Sequence, residues 1–232
     1  MSLEFAVVAA LTQRVGENLR GLRERIEAAR PTSGQPVEIV AVTKGQGPET
    51  VAACLANGLT LIGENYADEL VVKASMPELR EARWTFQGRL QTNKINRLVP
   101  YVSLWQTVDS VERAGALAKR APGAHVLVQL NLTGASGRSG VALDLGAAIV
   151  NAARDVGLRV EGIMGVGPDP TEPGWIPDHS LSAFQSAVSL ANTMDLPVRS
   201  LGMSHDFELA IHAGSTMVRL GTALVGTREQ GF

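Results

Sequence analysis

The chain contains very little cysteine, few aromatic side chains and almost no excess charge of either sign. Its 232 residues include one cysteine, Cys54, and 4% aromatic residues, and the formal net charge is -2. A single cysteine excludes a disulfide framework and a zinc site built from several thiolates, and it fits a reducing, cytoplasmic environment. A near-neutral chain with few aromatics offers neither the basic field nor the stacking surface of a nucleic-acid-binding protein.

Long apolar runs are also missing. No stretch approaches the roughly 20 apolar residues that cross a bilayer. The N-terminal segment MSLEFAVVAALTQRV has no basic region followed by a cleavage pattern, so it does not predict a signal peptide. The hydrophobic fraction of 45% and the charged fraction of 19% are typical of globular proteins. We therefore expect a cytoplasmic protein that contacts neither membrane nor nucleic acid.

The apolar pattern predicts an α/β chain that begins with one long helix. From Leu3 to Ala29 apolar residues recur at every third or fourth position, which is the stripe of an amphipathic helix. Eight short strand-like runs then alternate with helical segments, and they are centred near Val40, Leu61, Phe86, Trp105, Val128, Ile163, Leu201 and Leu220. Several of these runs are apolar at consecutive positions, as in parallel strands that are buried on both faces.

Eight strands that alternate with helices predict a (β/α)8 TIM barrel, a fold of about 250 residues. A doubly wound open sheet is the alternative. No linker or composition shift divides the chain, so we expect residues 1–232 to form a single domain. Only TREQGF follows the eighth strand, so the N-terminal helix should take the place of the last barrel helix. The irregular stretch from Gly167 to Ser180 predicts a mobile loop above the sixth strand.

The first strand ends on a lysine, in the sequence EIVAVTKGQGPET. Active groups of such barrels lie at the C-terminal ends of the strands, where Lys44 stands. Val40, Val42 and Lys44 alternate, so the lysine faces the mouth of the barrel if the valines line it. A lysine among apolar neighbours has a lowered pKa and a nucleophilic amine that can form an imine. The competing interpretation is a strand end that emerges into solvent, where lysine is common.

The last strand carries a charged residue, Arg219, inside the sequence GSTMVRLGTALVG. A buried guanidinium stays charged and needs an acceptor from the protein or from a ligand. Gly221 and Thr222 follow it and offer backbone amides and a hydroxyl, and the segment Gly202–Ser204 offers the same after the seventh strand. Barrels often bind phosphate with the loops after strands seven and eight, so these segments predict a phosphate site.

Three other patterns are weaker. The sequence SHD at 204–206 names the residues of a catalytic triad, but adjacent side chains cannot meet its geometry. The sequence GASGRSG at 134–140 is too short for a P-loop and has Arg138 where a lysine is required. His205 and His212 lack a carboxylate-rich setting, so no metal site is predicted.

Five segments are together similar to a known family: VAVTK, IGENYADE, FQGRLQTNK, GMSHDFELAI and GSTMVRLGTALVGTR. In order and spacing they resemble the pyridoxal phosphate homeostasis protein family, also called the YggS or PROSC family. The resemblance runs from the first strand to the end of the chain. It implies a barrel like the N-terminal domain of alanine racemase, with pyridoxal 5'-phosphate (PLP) held as an imine on Lys44.

The resemblance also implies which residues bind the cofactor. Seven are expected: Lys44 through the imine, Ser204, Gly221 and Thr222 at the phosphate, Arg219 at the pyridine nitrogen, and Asn65 and Met203 along the pocket wall. No catalytic residue and no metal ligand is assigned. The chain departs from the family at two positions, with Thr85 where histidine is usual and Gln87 where an apolar residue is usual.

Members of this family are thought to bind, buffer and deliver PLP without established turnover, which implies a role in intracellular vitamin B6 homeostasis. An arginine donates a hydrogen bond to an unprotonated pyridine nitrogen and weakens the electron sink that most PLP enzymes need. Racemases use such an arginine too, but they need a second acid or base opposite the lysine. The two tyrosines, Tyr66 and Tyr101, hold no obvious opposing position. We therefore expect a PLP carrier and not an enzyme.

Two other functions stay open. The first is a PLP-dependent amino-acid racemase or other PLP enzyme, with a base from the loop near Asp178 and His179. The second is a barrel aldolase or isomerase whose Lys44 forms an imine with a phosphorylated sugar. For a PLP carrier, PLP-dependent apo-enzymes are the candidate recipients and a monomer is expected. Lys94 is a second lysine that PLP could reach, ranked below Lys44 as a surface residue at a helix start.

Overall fold

A closed parallel β-barrel forms the centre of the computed structural model, which describes residues 3–32, 34–135, 137–168 and 175–227. Its eight strands are β1 Glu38–Val42, β2 Leu61–Glu64, β3 Arg83–Phe86, β4 Val102–Val108, β5 His125–Asn131, β7 Arg159–Val166, β8 Val198–Met203 and β9 Met217–Leu220. The pairing of β4 with β5 and of β1 with β9 closes the ring. The predicted (β/α)8 barrel is thereby confirmed, and the open-sheet alternative is wrong.

A ninth short strand, β6 Val141–Ala142, was not predicted. It pairs with Leu130 and Asn131 of β5, beyond Val128, the last residue of β5 that faces β4. The strand therefore extends the wall of the barrel locally and takes no part in its closure. Two residues are too few to show a period of hydrophobicity in the sequence.

Helices surround the barrel in the positions that the alternation predicts. They are α1 Phe5–Ala29, α2 Pro48–Ala56, α3 Ala67–Ala74, α4 Thr92–Leu98, α5 Val111–Ala118, α6 Gly146–Asp155, α7 Pro177–Thr193, α8 Phe207–Ala213 and α9 Thr222–Val225. Because α7 begins at Pro177, the end of the predicted loop Gly167–Ser180 is helical. Residues 169–174 of that loop lie outside the described residues. No helix that the structure describes combines the length and apolar character needed to cross a bilayer.

The long N-terminal helix α1 takes the place of a full-length helix after β9, as predicted. It packs against α2, α8 and the four-residue α9. Its buried residues lie at steps of four, three and four: Val15, Leu19, Leu22 and Ile26. Arg14 and Asn18 donate hydrogen bonds to the carbonyls of Val225 (3.1 Å) and Leu224 (2.9 Å), which join the first and last described helices.

Side chains alternate between the inside of the barrel and the layer beneath the helices. Val40, Val42, Leu61 and Met217 form one buried cluster within the barrel. Ala41, which lies between the two valines, belongs instead to the larger core between barrel and helices. The valines of β1 therefore line the barrel, which is the condition on which the predicted direction of Lys44 depends.

Gly88, two residues past the end of β3, allows the close approach of the loop that follows β2. A Cβ atom at Gly88 would lie 1.9 Å from the carbonyl oxygen of Asn65. The carbonyl of Gly88 in turn accepts a 2.7 Å hydrogen bond from the hydroxyl of Thr107. This glycine therefore helps to set the backbone position of Asn65 at the mouth of the barrel.

The substitution Gly88→Ala is expected to lower the free energy of unfolding by about 1–3 kcal/mol or more, because the added methyl group overlaps a backbone atom. Urea unfolding of the variant measures the change. Gly115→Ala is the matched control, since a Cβ there meets nothing within 4 Å and Gly115 lies inside α5. That control should be more stable by about 0.5–1 kcal/mol. Wild-type stability of Gly88→Ala would contradict the close approach.

Candidate functional site

A cavity of about 410 Å³ opens at the C-terminal ends of the barrel strands. Its lining includes all seven residues that the sequence predicts as ligand-binding: Lys44, Asn65, Met203, Ser204, Arg219, Gly221 and Thr222. Six more residues complete the wall: Val42, Gln87, Gln129, Met164, Val166 and His205. The volume falls within the range of about 300–1,000 Å³ found for small-molecule sites. The structure thus brings the predicted residues together, while their roles toward a ligand stay predictions.

Lys44 lies in a tight turn directly after β1. The backbone N–H of Gln46 donates to the carbonyl of Thr43 (3.1 Å), and Gly45 has a φ of 69°. A positive φ at the third of four residues is the mark of a type II turn and favours glycine there. Lys44 is half-buried and lines the cavity together with Val42, as the alternation along β1 predicts.

A buried ion pair lies behind this turn. The Nζ of Lys73 is 2.7 Å from Oε1 of Glu64, and Glu64 is completely buried. Oε1 of Glu64 also accepts a 2.7 Å hydrogen bond from the hydroxyl of Thr43. Burial raises the pKa of Glu64, although Lys73 and Thr43 counter part of that shift. The sequence analysis assigned no role to Glu64 or Lys73. The available signal was the four-residue spacing of Glu69 and Lys73, which places these two side chains on one face of α3.

The guanidinium of Arg219 is held by acceptors of the protein itself. Nη1 donates to the carbonyl and to the hydroxyl of Ser200 (3.0 Å for the hydroxyl), and Nη2 donates to the carbonyl of Gly165 (2.8 Å). Burial lowers the pKa of Arg219 to about 10, and the charge of Asp206 offsets part of the shift. Arg219 therefore remains charged at neutral pH while only 4% of its surface is exposed.

The hydrogen bonds of Arg219 continue across the interior of the barrel. The hydroxyl of Ser200 donates to Oε1 of Gln106 (2.8 Å), and both residues are completely buried. This chain connects β4, β8 and β9, three strands that are distant in the sequence. Sequence reasoning missed Gln106 and Gln129. The signal for them was an amide side chain inside each of two strands whose residues are mostly apolar.

The loops after β8 and β9 meet at the predicted phosphate site. The backbone N–H of Ala223 donates to the hydroxyl of Ser204 (3.3 Å), which brings Ser204 close to the turn that carries Gly221 and Thr222. The carboxylate of Asp206 accepts from the backbone N–H of Met203 (2.6 Å). Burial raises the pKa of Asp206.

Asn65 and Gln87 line the wall between β2 and β3. Oδ1 of Asn65 is buried and has no hydrogen-bond partner among the residues that the structure describes. Such orphaned polar atoms are rare in folded proteins and indicate a missing ligand or water. Gln87 donates a long hydrogen bond to the buried hydroxyl of Thr85 (3.4 Å). The two departures from the family pattern are therefore in contact, and Gln87 reaches the cavity itself.

Other chemical groups stand apart from the cavity. Within residues 3–32, 34–135, 137–168 and 175–227, no group of three or more histidine, cysteine and acidic side chains could hold a metal ion. Lys94 lies at the surface near the start of α4, and its Nζ is 2.9 Å from a carboxylate oxygen of Asp68. Cys54 is buried, and that burial raises its pKa to about 12.

The chain matches a family of barrel domains over most of its length. Residues 18–229 match the sequence profile of the family described as "Alanine racemase, N-terminal domain". Together with the closed barrel and the lysine at its mouth, this match defines a barrel domain of the alanine racemase type. Two proteins named pyridoxal phosphate homeostasis protein, 31% and 34% identical to this chain over 94% and 93% of its length, make the assignment narrower. The chain belongs to the pyridoxal phosphate homeostasis protein family.

Those relatives are the pyridoxal phosphate homeostasis proteins of Pseudomonas aeruginosa and Escherichia coli strain K12. The first is 31% identical over 225 residues, which cover 94% of this chain and 97% of the relative. The second is 34% identical over 233 residues, which cover 93% and 97%. Among solved structures, PipY of Synechococcus elongatus with PLP bound superimposes with a TM-score of 0.75 and 25% identity. That superposition covers 91% of this chain and 100% of PipY.

The substitution Ser200→Ala is expected to lower the free energy of unfolding by about 1–3 kcal/mol, because it leaves the buried Gln106 without its donor and Arg219 without one acceptor. Denaturant unfolding measures the loss. Ser186→Ala is the control, since the one partner of that exposed hydroxyl among the described residues is the Ser182 carbonyl of its own helix. The control should change by less than about 0.5 kcal/mol. Equal changes in the two variants would show that the hydrogen bonds between Gln106, Ser200 and Arg219 contribute nothing to the free energy of unfolding.

Proposed function

We propose that this chain binds PLP in the cavity, holds it as an imine on Lys44 and serves intracellular PLP homeostasis without catalytic turnover. The observation that carries the proposal is the convergence of a lysine amine, a buried guanidinium and two hydroxyls on one cavity. The names of the relatives support the same function. The cytoplasm is the proposed location, the monomer the proposed state, and PLP-dependent apo-enzymes the proposed recipients.

The donors and acceptors of the cavity fit the chemistry of PLP. Ser204 and Thr222 offer hydroxyls and Gly221 a backbone amide, which are suited to a phosphate. Arg219 offers a charged donor to the pyridine nitrogen, and its other hydrogen bonds to protein carbonyls hold it in one orientation. The buried Oδ1 of Asn65 is a hydrogen-bond acceptor without a described donor, and a hydroxyl group of a ligand would supply one.

When bound, the cofactor supplies an aldehyde that reacts with amines and a ring that can accept electrons. The Nζ of Lys44 would hold the cofactor through its aldehyde. Arg219 would donate a hydrogen bond to the ring nitrogen and, because the guanidinium keeps its charge, would disfavour protonation there. With these residues the chain would retain the cofactor while it disfavours electron-sink chemistry.

Lys44→Ala is expected to abolish the yellow absorbance band that the purified wild-type protein shows with PLP. Borohydride reduction and peptide mapping should place the label of the wild type on the peptide with Lys44. Lys94→Ala is the control and should keep both the band and the label, because Lys94 pairs with Asp68 at the surface. A wild type that stays colourless with PLP would overturn the proposal and favour a barrel that binds phosphorylated sugars.

One observation favours a second candidate, an amino-acid racemase. His205 lines the cavity and is exposed, so it would supply the second acid or base that racemisation needs. The test is incubation of the PLP-loaded protein with L-alanine and L-serine, followed by chiral analysis. The proposed carrier leaves both amino acids optically pure. Racemisation that His205→Ala abolishes and Lys94→Ala retains would establish the enzyme instead.

A further inference from the structure

Side chains from the end of β2 and from α3 hold the residues on both sides of Lys44. On one side, the Thr43 carbonyl accepts from Nζ of Lys73 (2.9 Å), and the Thr43 hydroxyl donates to Glu64 (2.7 Å). On the other side, the backbone N–H of Gly45 donates to Oε2 of Glu69 (2.8 Å). Glu64, Glu69 and Lys73 thus hold the residues before and after Lys44, and we call these three residues the turn clamp.

The turn clamp is a connected group of charges. Nζ of Lys73 lies 2.7 Å from Glu64 and 3.6 Å from Glu69. The side chains of Glu64 and Lys73 are 0% and 5% exposed, whereas that of Glu69 is 33% exposed. Burying an ion pair costs desolvation that the attraction between the charges often fails to recover. Stability alone is therefore a poor reason for this group to stand behind the turn.

The backbone of the turn is tied to the barrel at its first residue, where the Thr43 N–H donates to the Gly63 carbonyl of β2 (3.0 Å). Gly45 contributes no side chain, and its positive φ is a conformation that only glycine adopts freely. The hydrogen bond from the Gln46 N–H to the Thr43 carbonyl closes the turn (3.1 Å). The hydrogen bonds of the turn clamp connect Thr43 and Gly45 to β2 and α3. They consequently restrict the position of the Lys44 Cα atom, from which the side chain extends into the cavity.

We infer that the turn clamp positions Lys44 for its reaction with the aldehyde of PLP, an inference that rests on the proposed function. In that reaction the lone pair of Nζ adds to the aldehyde carbon. The oxygen then leaves as water with two protons from the amine, and a C=N bond replaces the C=O bond. The clamp residues exchange no proton in this step and act through the backbone. A displacement of about 1 Å at a reacting group can cost a hundredfold in rate.

The test compares Glu69→Ala with Asp68→Asn. Glu69→Ala removes the acceptor of the Gly45 amide and leaves the buried Glu64–Lys73 ion pair intact, so it changes the turn without unpairing a buried charge. Asp68 is the control because it lies on the same helix, is exposed and contacts only Lys94 and Arg97 among the hydrogen-bond partners described.

The first measurement uses the protein without cofactor. Amide hydrogen exchange of the peptide that contains residues 43–46 should become at least about tenfold faster in Glu69→Ala, because the Gly45 amide loses its acceptor. Asp68→Asn should exchange like the wild type. Unchanged exchange in Glu69→Ala would overturn the inference, and it would do so whether or not the protein binds PLP.

The second measurement compares two ligands. PLP carries the aldehyde, whereas pyridoxamine 5'-phosphate carries an amine in its place and cannot form the imine. Glu69→Ala should bind PLP at least about tenfold more weakly, since the lysine is misplaced, and should bind pyridoxamine 5'-phosphate within about twofold of the wild type. Asp68→Asn should bind both like the wild type.

The outcomes separate the inference from the proposed function. An equal loss of affinity for both ligands would show that the clamp only supports the fold of the cavity, and unchanged affinity for both would show that it does not act on Lys44. Either result overturns the inference. A wild type that binds neither ligand overturns the proposed function instead, while the exchange measurement still decides whether the clamp holds the turn.

Discussion

The parallel pairing of the first and last barrel strands is the contact on which the rest of the structure depends. β1 and β9 lie side by side with Val40 opposite Arg219, so the strand that leads to Lys44 and the strand that carries the buried guanidinium become neighbours. Nearly the whole chain separates these two strands. Ring closure therefore does two things at once: it removes the edges of the sheet, and it assembles the cavity from the two ends of the sequence.

Three polar side chains inside the barrel, those of Gln106, Ser200 and Arg219, are tolerated because they bond to one another across three strands. These hydrogen bonds cross the interior almost entirely out of contact with solvent. Such a network is stable only when its members are satisfied together. The hydrogen bonds that stabilise the interior of the barrel also orient the guanidinium of Arg219. The same contacts therefore determine both the packing of the barrel and the geometry of the site.

Local patterns were sufficient to predict much of this arrangement. The eight strands, the long first helix and the direction of Lys44 follow from periods of two and of about 3.6 residues, which neighbouring residues determine. The Glu64–Lys73 pair and the acceptors of Arg219 could not be predicted in this way. They depend on the register between strands and on how α3 lies against β2, which no short window of sequence contains. The sequence identifies Gln87 only as a departure from the family pattern. That its side chain lines the cavity depends on the folded barrel.

The use of the first helix as the last element of the barrel has a consequence during synthesis. Val15, Leu19, Leu22 and Ile26 of α1 emerge from the ribosome before the barrel strands, whereas α8 and α9, two of the helices that cover them, are made only after β8. Of the three helices α2, α8 and α9 that pack against α1, only α2 has been made by then. The nascent chain therefore carries a partly uncovered apolar stripe. Transiently exposed apolar surface of this kind promotes aggregation and is what chaperones bind. The order of the elements along the chain thus leaves this apolar stripe partly uncovered until α8 and α9 have been made.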